Sequence, residues 1–376
     1  DPRAPAVKQP LTGPTFGTYA AHEVGWLLTD LSDMRLEAAT ADREREIQSG
    51  HAHYAESLPI EYQPDSVYLD LFDSVLRETA NRLAVAVGYL TELVLAERGT
   101  DIALVSLARA GTPIGILMRR WAASQHRLTL PHYAVSIVRG RGIDTCALRY
   151  LSTHHDPARV VFVDGWTGKG AITRELSDAI TEHAHRTEIV FNPDLAVLAD
   201  PGHCVRTFGT RDDFLIASAC LNSTVSGLVS RTVLNPRVIG PTDFHGAKFY
   251  RDLRPADMSN VFLDTVSAQF ETAETQVRRM RDTGNDQHRE PTWSGLTTVQ
   301  RIQQQYGITT SNFVKPGIGE TTRVLLRRLP WRIVVRDPDA PEHRHIRLLA
   351  ESRNVPVVVD PDLAYACVGL IKEIAE

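Results

Sequence analysis

Residues 159–170 read RVVFVDGWTGKG. A short apolar run ends in Asp164, three glycines with Thr167 and Lys169 fill the next turn, and AITREL then opens a helical pattern. A strand that passes through a glycine-rich turn into a helix builds an anion site. The amides of the first helical turn have no intrahelical acceptor, and the helix dipole favours negative charge there. Gly165, Gly168 and Gly170 let the backbone approach phosphate oxygens, Lys169 adds a cation, and Asp164 can hold sugar hydroxyls or a Mg²⁺ shell. Val163 and the placement of Gly170 after the lysine exclude the GxxxxGK[ST] spacing, and GxGxxG is not met.

Outward from this turn, DIALVSL, HYAVSIV and DLAVLAD are further short apolar runs. Helical patterns lie between them at about 112–125, 144–152 and 169–185. Alternating strands and helices predict an α/β fold with a parallel, doubly wound sheet, which takes ligands at the carboxyl ends of its strands. Two more strand ends carry glycine and cations. SLARAGTPIG contributes Ser106, Arg109, Ala110 and Gly111, and RGRGID contributes Arg139 and Arg141. A guanidinium suits phosphate geometry. The small and hydroxyl side chains Asn222, Ser223 and Thr224 form either a wall for an acceptor substrate or a buried helix start.

Upstream, residues 1–18 read as an extended arm and 21–31 as a first helix. A long helix spans about 66–98, with Leu69, Phe72, Leu76, Leu83, Val87, Leu90 and Val94 on one face and Gly99 at its end. The expected organisation is 1–100 arm and helical cap, 101–281 core and hood, 282–295 polar linker, and 296–376 a small α/β/α unit. The 376 residues suit two or three domains, and 43% hydrophobic with 23% charged residues is globular composition. The net charge of −5 excludes a protein basic over its whole surface but allows one basic face. No run of about 18 apolar residues predicts a membrane span. Four scattered cysteines without a CxxC pair suit reduced thiols and a cytoplasmic setting.

These segments, with IQSGHAHYAE at 47–56, ACLNSTVSGLVSRTVLN at 219–235 and DFHGAKFY at 243–250, resemble one family over nearly the whole chain. It is the phosphoribosyltransferase-like family found with tellurite-resistance stress genes, some members of which are labelled cysteine protease StiP. The resemblance implies a type I phosphoribosyltransferase fold acting on 5-phosphoribosyl diphosphate with Mg²⁺ and making a nucleoside-like metabolite. Asp164 then matches the first of an acid pair and a Mg²⁺ ligand, with Gly165 in place of the second acid. Residues 167–170 match the 5′-phosphate cradle, 106–115 the diphosphate loop and 139–144 a mobile catalytic loop. Arg109, Arg139 and Arg141 would stabilise the leaving diphosphate.

Residues 311–336 carry six cations and one acid between Lys315 and Arg336. The stretch resembles the Pelota and kink-turn-binding ribosomal protein family, with Gly317, Glu320, Arg323 and Leu325 on its pattern. That resemblance implies structured RNA held by Lys315, Gly317, Glu320, Arg323 and Arg327. The partners expected are therefore a phosphorylated sugar or nucleotide and RNA, with no membrane and with a homodimer allowed. Two alternatives stand beside the transferase. One is a non-catalytic nucleotide- or RNA-binding regulator. The other is a cysteine peptidase using Cys220 with Asn222 and His245, or Cys204 beside His203.

Overall fold

The computed structural model describes residues 8–61, 63–284 and 288–373. Its centre is a parallel sheet in the spatial order Gly25–Trp26, His132–Val138, Ala103–Ala108, Val160–Trp166, Leu195–Ala199, Thr207–Thr210. Gly142–Ile143 folds back antiparallel on His132–Val138. The central strands are covered on both faces, which is why they read as unbroken apolar runs rather than alternating ones. Leu104, Val161 and Val163 point into one core, and Val105, Phe162 and Val197 into the other.

The helices are α1 (Thr40–Gln48), α2 (Ser66–Arg98), α3 (Gly111–His126), α4 (Thr145–His154), α5 (Ala171–Thr187), α6 (Ser259–Ser267) and α7 (Phe270–Asp282). The C-terminal part adds α8 (Ser294–Gln305), α9 (Ile318–Arg327) and α10 (Arg344–Ser352). Helices α2, α3, α6 and α7 build the first core, while α4 and α5 build the second. Asp65 starts α2 by accepting the Tyr68 N–H at 3.1 Å, and Gly99, at φ 83°, ends it. Its predicted face is buried, Phe72, Leu83, Val87 and Leu90 completely. Gly88 lets α2 and α3 close up, because a Cβ there would lie 2.6 Å from the Trp121 ring.

Two expectations need correction. Residues 21–31 are not a helix: Gly25–Trp26 adds an edge strand to the sheet, and Thr29–Asp30 pairs with Gly246–Ala247. The reason is visible in burial, since Trp26, Leu27 and Leu28 are all inside, and one face of a helix cannot bury three consecutive residues. Nor is α2 a cap over the strand ends. It lies in the helical layer against the sheet, while residues 54–61 reach the carboxyl edge.

The C-terminal unit is a four-stranded sheet in the order Val314–Pro316, Cys367–Ile371, Pro330–Val335, Val357–Val359. Residues of α8 pack on one face, and α9 with α10 on the other, the expected α/β/α arrangement. Ile318, Leu325, Ile333 and Ile346 belong to the same buried cluster as α2 and α3, so this unit is packed onto the core. The expected linker is anchored too: Arg289 donates to Arg206 O and Glu97, and Arg211 donates to His288 O; residues 285–287 lie outside the described residues. The architecture is thus α/β with a parallel central sheet and a small C-terminal unit. The narrower type I phosphoribosyltransferase form is not supported. No described helix is long and apolar enough to cross a membrane.

Candidate functional site

The glycine-rich turn forms where expected, between Val160–Trp166 and α5, with Gly170 at φ 83° as N-cap. Its polar groups are nevertheless used within the protein. Thr167 donates its hydroxyl to Asp200 at 2.6 Å, and its backbone N–H to Ala199 O. Gly168 O accepts from the Tyr365 hydroxyl at 2.9 Å, and Lys169 Nζ donates to Ser311 O at 2.6 Å. A Cβ on Gly170 would meet the Trp293 ring at 2.3 Å, and one on Gly168 would touch Pro316. The turn expected to cradle a 5′-phosphate is therefore the seat of the C-terminal unit. Sequence spacing cannot show this, because the covering residues lie more than 120 positions downstream.

Other expected phosphate ligands are also placed differently. Ser106 is fully buried, its hydroxyl paired with His132 Nε2 at 2.7 Å. Gly111 packs against a strand end, where a Cβ would lie 2.5 Å from Val163 O. Gly165 faces Ala110 O at 3.2 Å from its own notional Cβ, so loops 109–111 and 164–165 do adjoin. Among the described residues Asp164 accepts only the Gly165 N–H, and burial pushes its pKa up to about 7. Among the described residues, no group of three His, Cys, Asp or Glu side chains gathers to hold a metal. The loop expected to be mobile is pinned: Glu175 accepts the Gly140 and Gly142 N–H groups, and the Arg139 N–H donates to the Tyr54 hydroxyl.

The cations do converge, but in a different pattern. Arg109 pairs with Glu61 at 3.8 Å and donates to Val229 O. Arg141 pairs with Glu56 at 3.8 Å. Burial, then Lys315 and Arg139, lower the Lys169 pKa to about 8. Burial, then Arg109, Arg43 and Arg323, lower that of Arg231 to about 10, although water still reaches its side chain. Arg231 escapes a reading of the sequence because it stands in a small-residue stretch with no second cation beside it.

Asn222, Ser223 and Thr224 split up. Asn222 Oδ1 accepts from Arg327, whereas the hydroxyls of Ser223 and Thr224 are buried without partners among the described residues. They form a short 3₁₀ turn that no side chain caps, not the wall of an open pocket. The expected RNA-binding residues turn toward the core as well. Arg323 donates to Ala219 O and lies 5.4 Å over the Trp166 ring, and Arg327 donates to Cys220 O. The first amide of α9, on Ile318, donates to the core carboxylate Asp213 at 2.9 Å. Gly317 adjoins the same carboxylate, and Glu320 pairs with Arg323 at 3.3 Å.

All four cysteines are free thiols. Cys204 and Cys220 are buried, which raises both to about 12, and burial raises Cys367 well above the ordinary thiol value too. The expected partnership of Cys220 with His245 does not form. Cys220 lies among Arg323 and Arg327, while His245 Nδ1 meets Ser136 Oγ at 2.8 Å. Cys204 Sγ rests on two carbonyls, Gly168 O and Gly202 O. Cys146 is different: it is partly accessible and sits in the first turn of α4. The Asp144 carboxylate joins it to a histidine, accepting the Cys146 N–H at 2.9 Å on Oδ1 and the His245 N–H at 2.7 Å on Oδ2. The sequence signal is the Asp-Thr-Cys start of a helix, but 99 residues separate Cys146 from His245.

Comparison with known proteins bears on these alternatives. A family described as "Tellurite-like stress resistance cysteine protease StiP" matches residues 17–267, and one described as "PELOTA RNA binding domain" matches 293–373. A protein named "Cysteine protease StiP" from Acinetobacter baylyi is 32% identical over 381 residues, covering 96% of this chain and 95% of that protein. These matches overturn the expected phosphoribosyltransferase: the family and the relative are described as cysteine proteases, not as glycosyltransferases using 5-phosphoribosyl diphosphate. The tellurite-resistance and Pelota resemblances stand.

Proposed function

The chain belongs to the StiP family, and from that premise we propose that it is a cysteine peptidase with Cys146 as nucleophile and His245 as base. One observation carries the choice of residues: a single carboxylate, Asp144, holds the backbone of both. Cys146 is also the one thiol that is not buried, and only a reachable sulfur can attack a peptide. Burial and Asp144 raise the thiol pKa, and Asp144 already accepts the first-turn amides of Cys146 and Ala147, so the thiolate has to form as the base takes its proton.

In the resting arrangement Sγ contacts Pro241 O at 3.4 Å, and His245 uses Nδ1 on Ser136. Catalysis requires Sγ to rotate from Pro241 to His245 Nε2. The imidazole then takes the thiol proton as sulfur attacks the scissile carbonyl carbon, and gives it to the departing amine. Water hydrolyses the resulting thioester. Casein digestion tests this directly. Cys146→Ala should remove cleavage, and Cys204→Ala and Cys220→Ala should retain it. Full activity in Cys146→Ala, or none in the wild type, rules the assignment out.

A second role is supported by the match of residues 293–373 to the Pelota RNA-binding family. We infer that this unit brings RNA to the protein. Retention of a labelled RNA hairpin by the full chain is the check.

A further inference from the structure

Three cations at the junction of the two units stand without a direct side-chain partner among the described residues. The side chains of Arg139, Arg231 and Lys315 make no ion pair or hydrogen bond among the described residues, although most other arginines here do. They also repel one another. Arg231 and Arg139 both act on Lys315, and Arg139 with Lys315 acts on Lys169. Glu320, beside Arg323, is the carboxylate that acts on Lys315 and Lys169; Glu61 is beside Arg109, and Glu175 accepts the Gly140 and Gly142 N–H groups next to Arg139. Folding has therefore gathered more positive than negative charge from the core and from the C-terminal unit along one seam. A chain with net charge −5 gains nothing in solubility from such a seam, and its assembly has to be offset by packing elsewhere.

The basic face of α9 does not itself confront solvent, since Arg323 and Arg327 are tied to Ala219 O, Cys220 O and Asn222. An RNA bound by that helix alone would have to break these contacts and lift Ile318 from Asp213. The seam offers a route that breaks nothing. We propose that an RNA strand lays its phosphate backbone along the seam, across Arg139, Arg231 and Lys315, so that the core supplies much of the RNA site. This rests on the RNA-binding role of the C-terminal unit and is independent of the thiol chemistry. Cations without base-reading side chains beside them suit backbone binding, which is strongly salt-dependent.

The test uses the full chain and a fluorescein-labelled RNA hairpin, with binding followed by anisotropy from low to moderate salt. Arg139→Gln and Arg231→Gln should each weaken binding roughly three- to fivefold and lower the slope of log K against log salt by about 0.7. Arg186→Gln, on the far exposed end of α5, should leave both unchanged. Because the charges that act most on Arg231 are those of Arg109, Arg43 and Arg323, Arg231→Gln should melt at or above the wild-type temperature. A lower melting temperature assigns the guanidinium a structural role and overturns the proposal. Wild-type binding that ignores both core substitutions overturns the shared site while leaving RNA binding by the C-terminal unit intact. No binding by the wild type at low salt removes both.

Discussion

Asp213 offers the sharpest test of how the two units are joined. It accepts the Ile318 N–H on Oδ1 and the Ala366 N–H on Oδ2, both at 2.9 Å, and burial raises its pKa to about 6. Asp213→Asn keeps the shape, removes the charge and leaves one amide facing an NH₂ group. The sign of the pH effect follows from linkage. The folded state holds the proton more tightly than the unfolded chain, where an aspartate titrates near ~3.9, so the wild type loses stability as pH rises through that window. Between about pH 4.5 and 7 the loss is ~2 kcal/mol. The carboxamide of the variant does not titrate, and all other groups are common to both proteins. The wild type should therefore be the more stable by ~1–3 kcal/mol at the acid end, the cost of the orphaned amide, and close to the variant at neutrality. Urea unfolding followed by tryptophan fluorescence measures the difference at each pH. A wild-type-minus-variant difference that stays constant over this range refutes the reasoning.

Gly88→Ala should cost ~1–3 kcal/mol, read as a lowered midpoint in urea, because the added methyl meets the Trp121 ring at 2.6 Å in a closed core. Iodoacetamide should alkylate Cys146 before the other three thiols, and faster as pH rises, since it is partly accessible while they are buried; mass spectrometry of the digest identifies the site. Thr167→Val should lower stability by ~1–2 kcal/mol by taking the hydroxyl from buried Asp200, with the loss visible in the same urea titration.

The long helix, the four central strands and the C-terminal α/β/α unit are legible in the sequence because periodicity and apolar runs are local signals. The 21–31 segment misleads because its apolar residues fill a sheet edge from several sides, and that edge is formed by residue 133 and its neighbours. The stretch 164–170 reads correctly as a turn and wrongly as an open cradle. Glycines license the close approach of any group, and here the group is Trp293, Tyr365 and Pro316 of the same chain. The Cys146–Asp144–His245 cluster and the unpaired Arg231 depend on contacts across 90 residues or more. No local pattern encodes them.

The N-terminal segment has one further consequence, for how the protein is made. Thr29–Asp30 pairs with Gly246–Ala247, Tyr19 donates to Val225 O, and Arg251 donates to Thr15 O. Its partners thus leave the ribosome some two hundred residues later, a delay of roughly 10–40 s at ordinary elongation rates. Trp26 and Leu27 wait about half as long, until the strand around Ala134 emerges, and in that interval the nascent chain exposes Trp26, Leu27 and Leu28 and is an expected client for ribosome-associated chaperones.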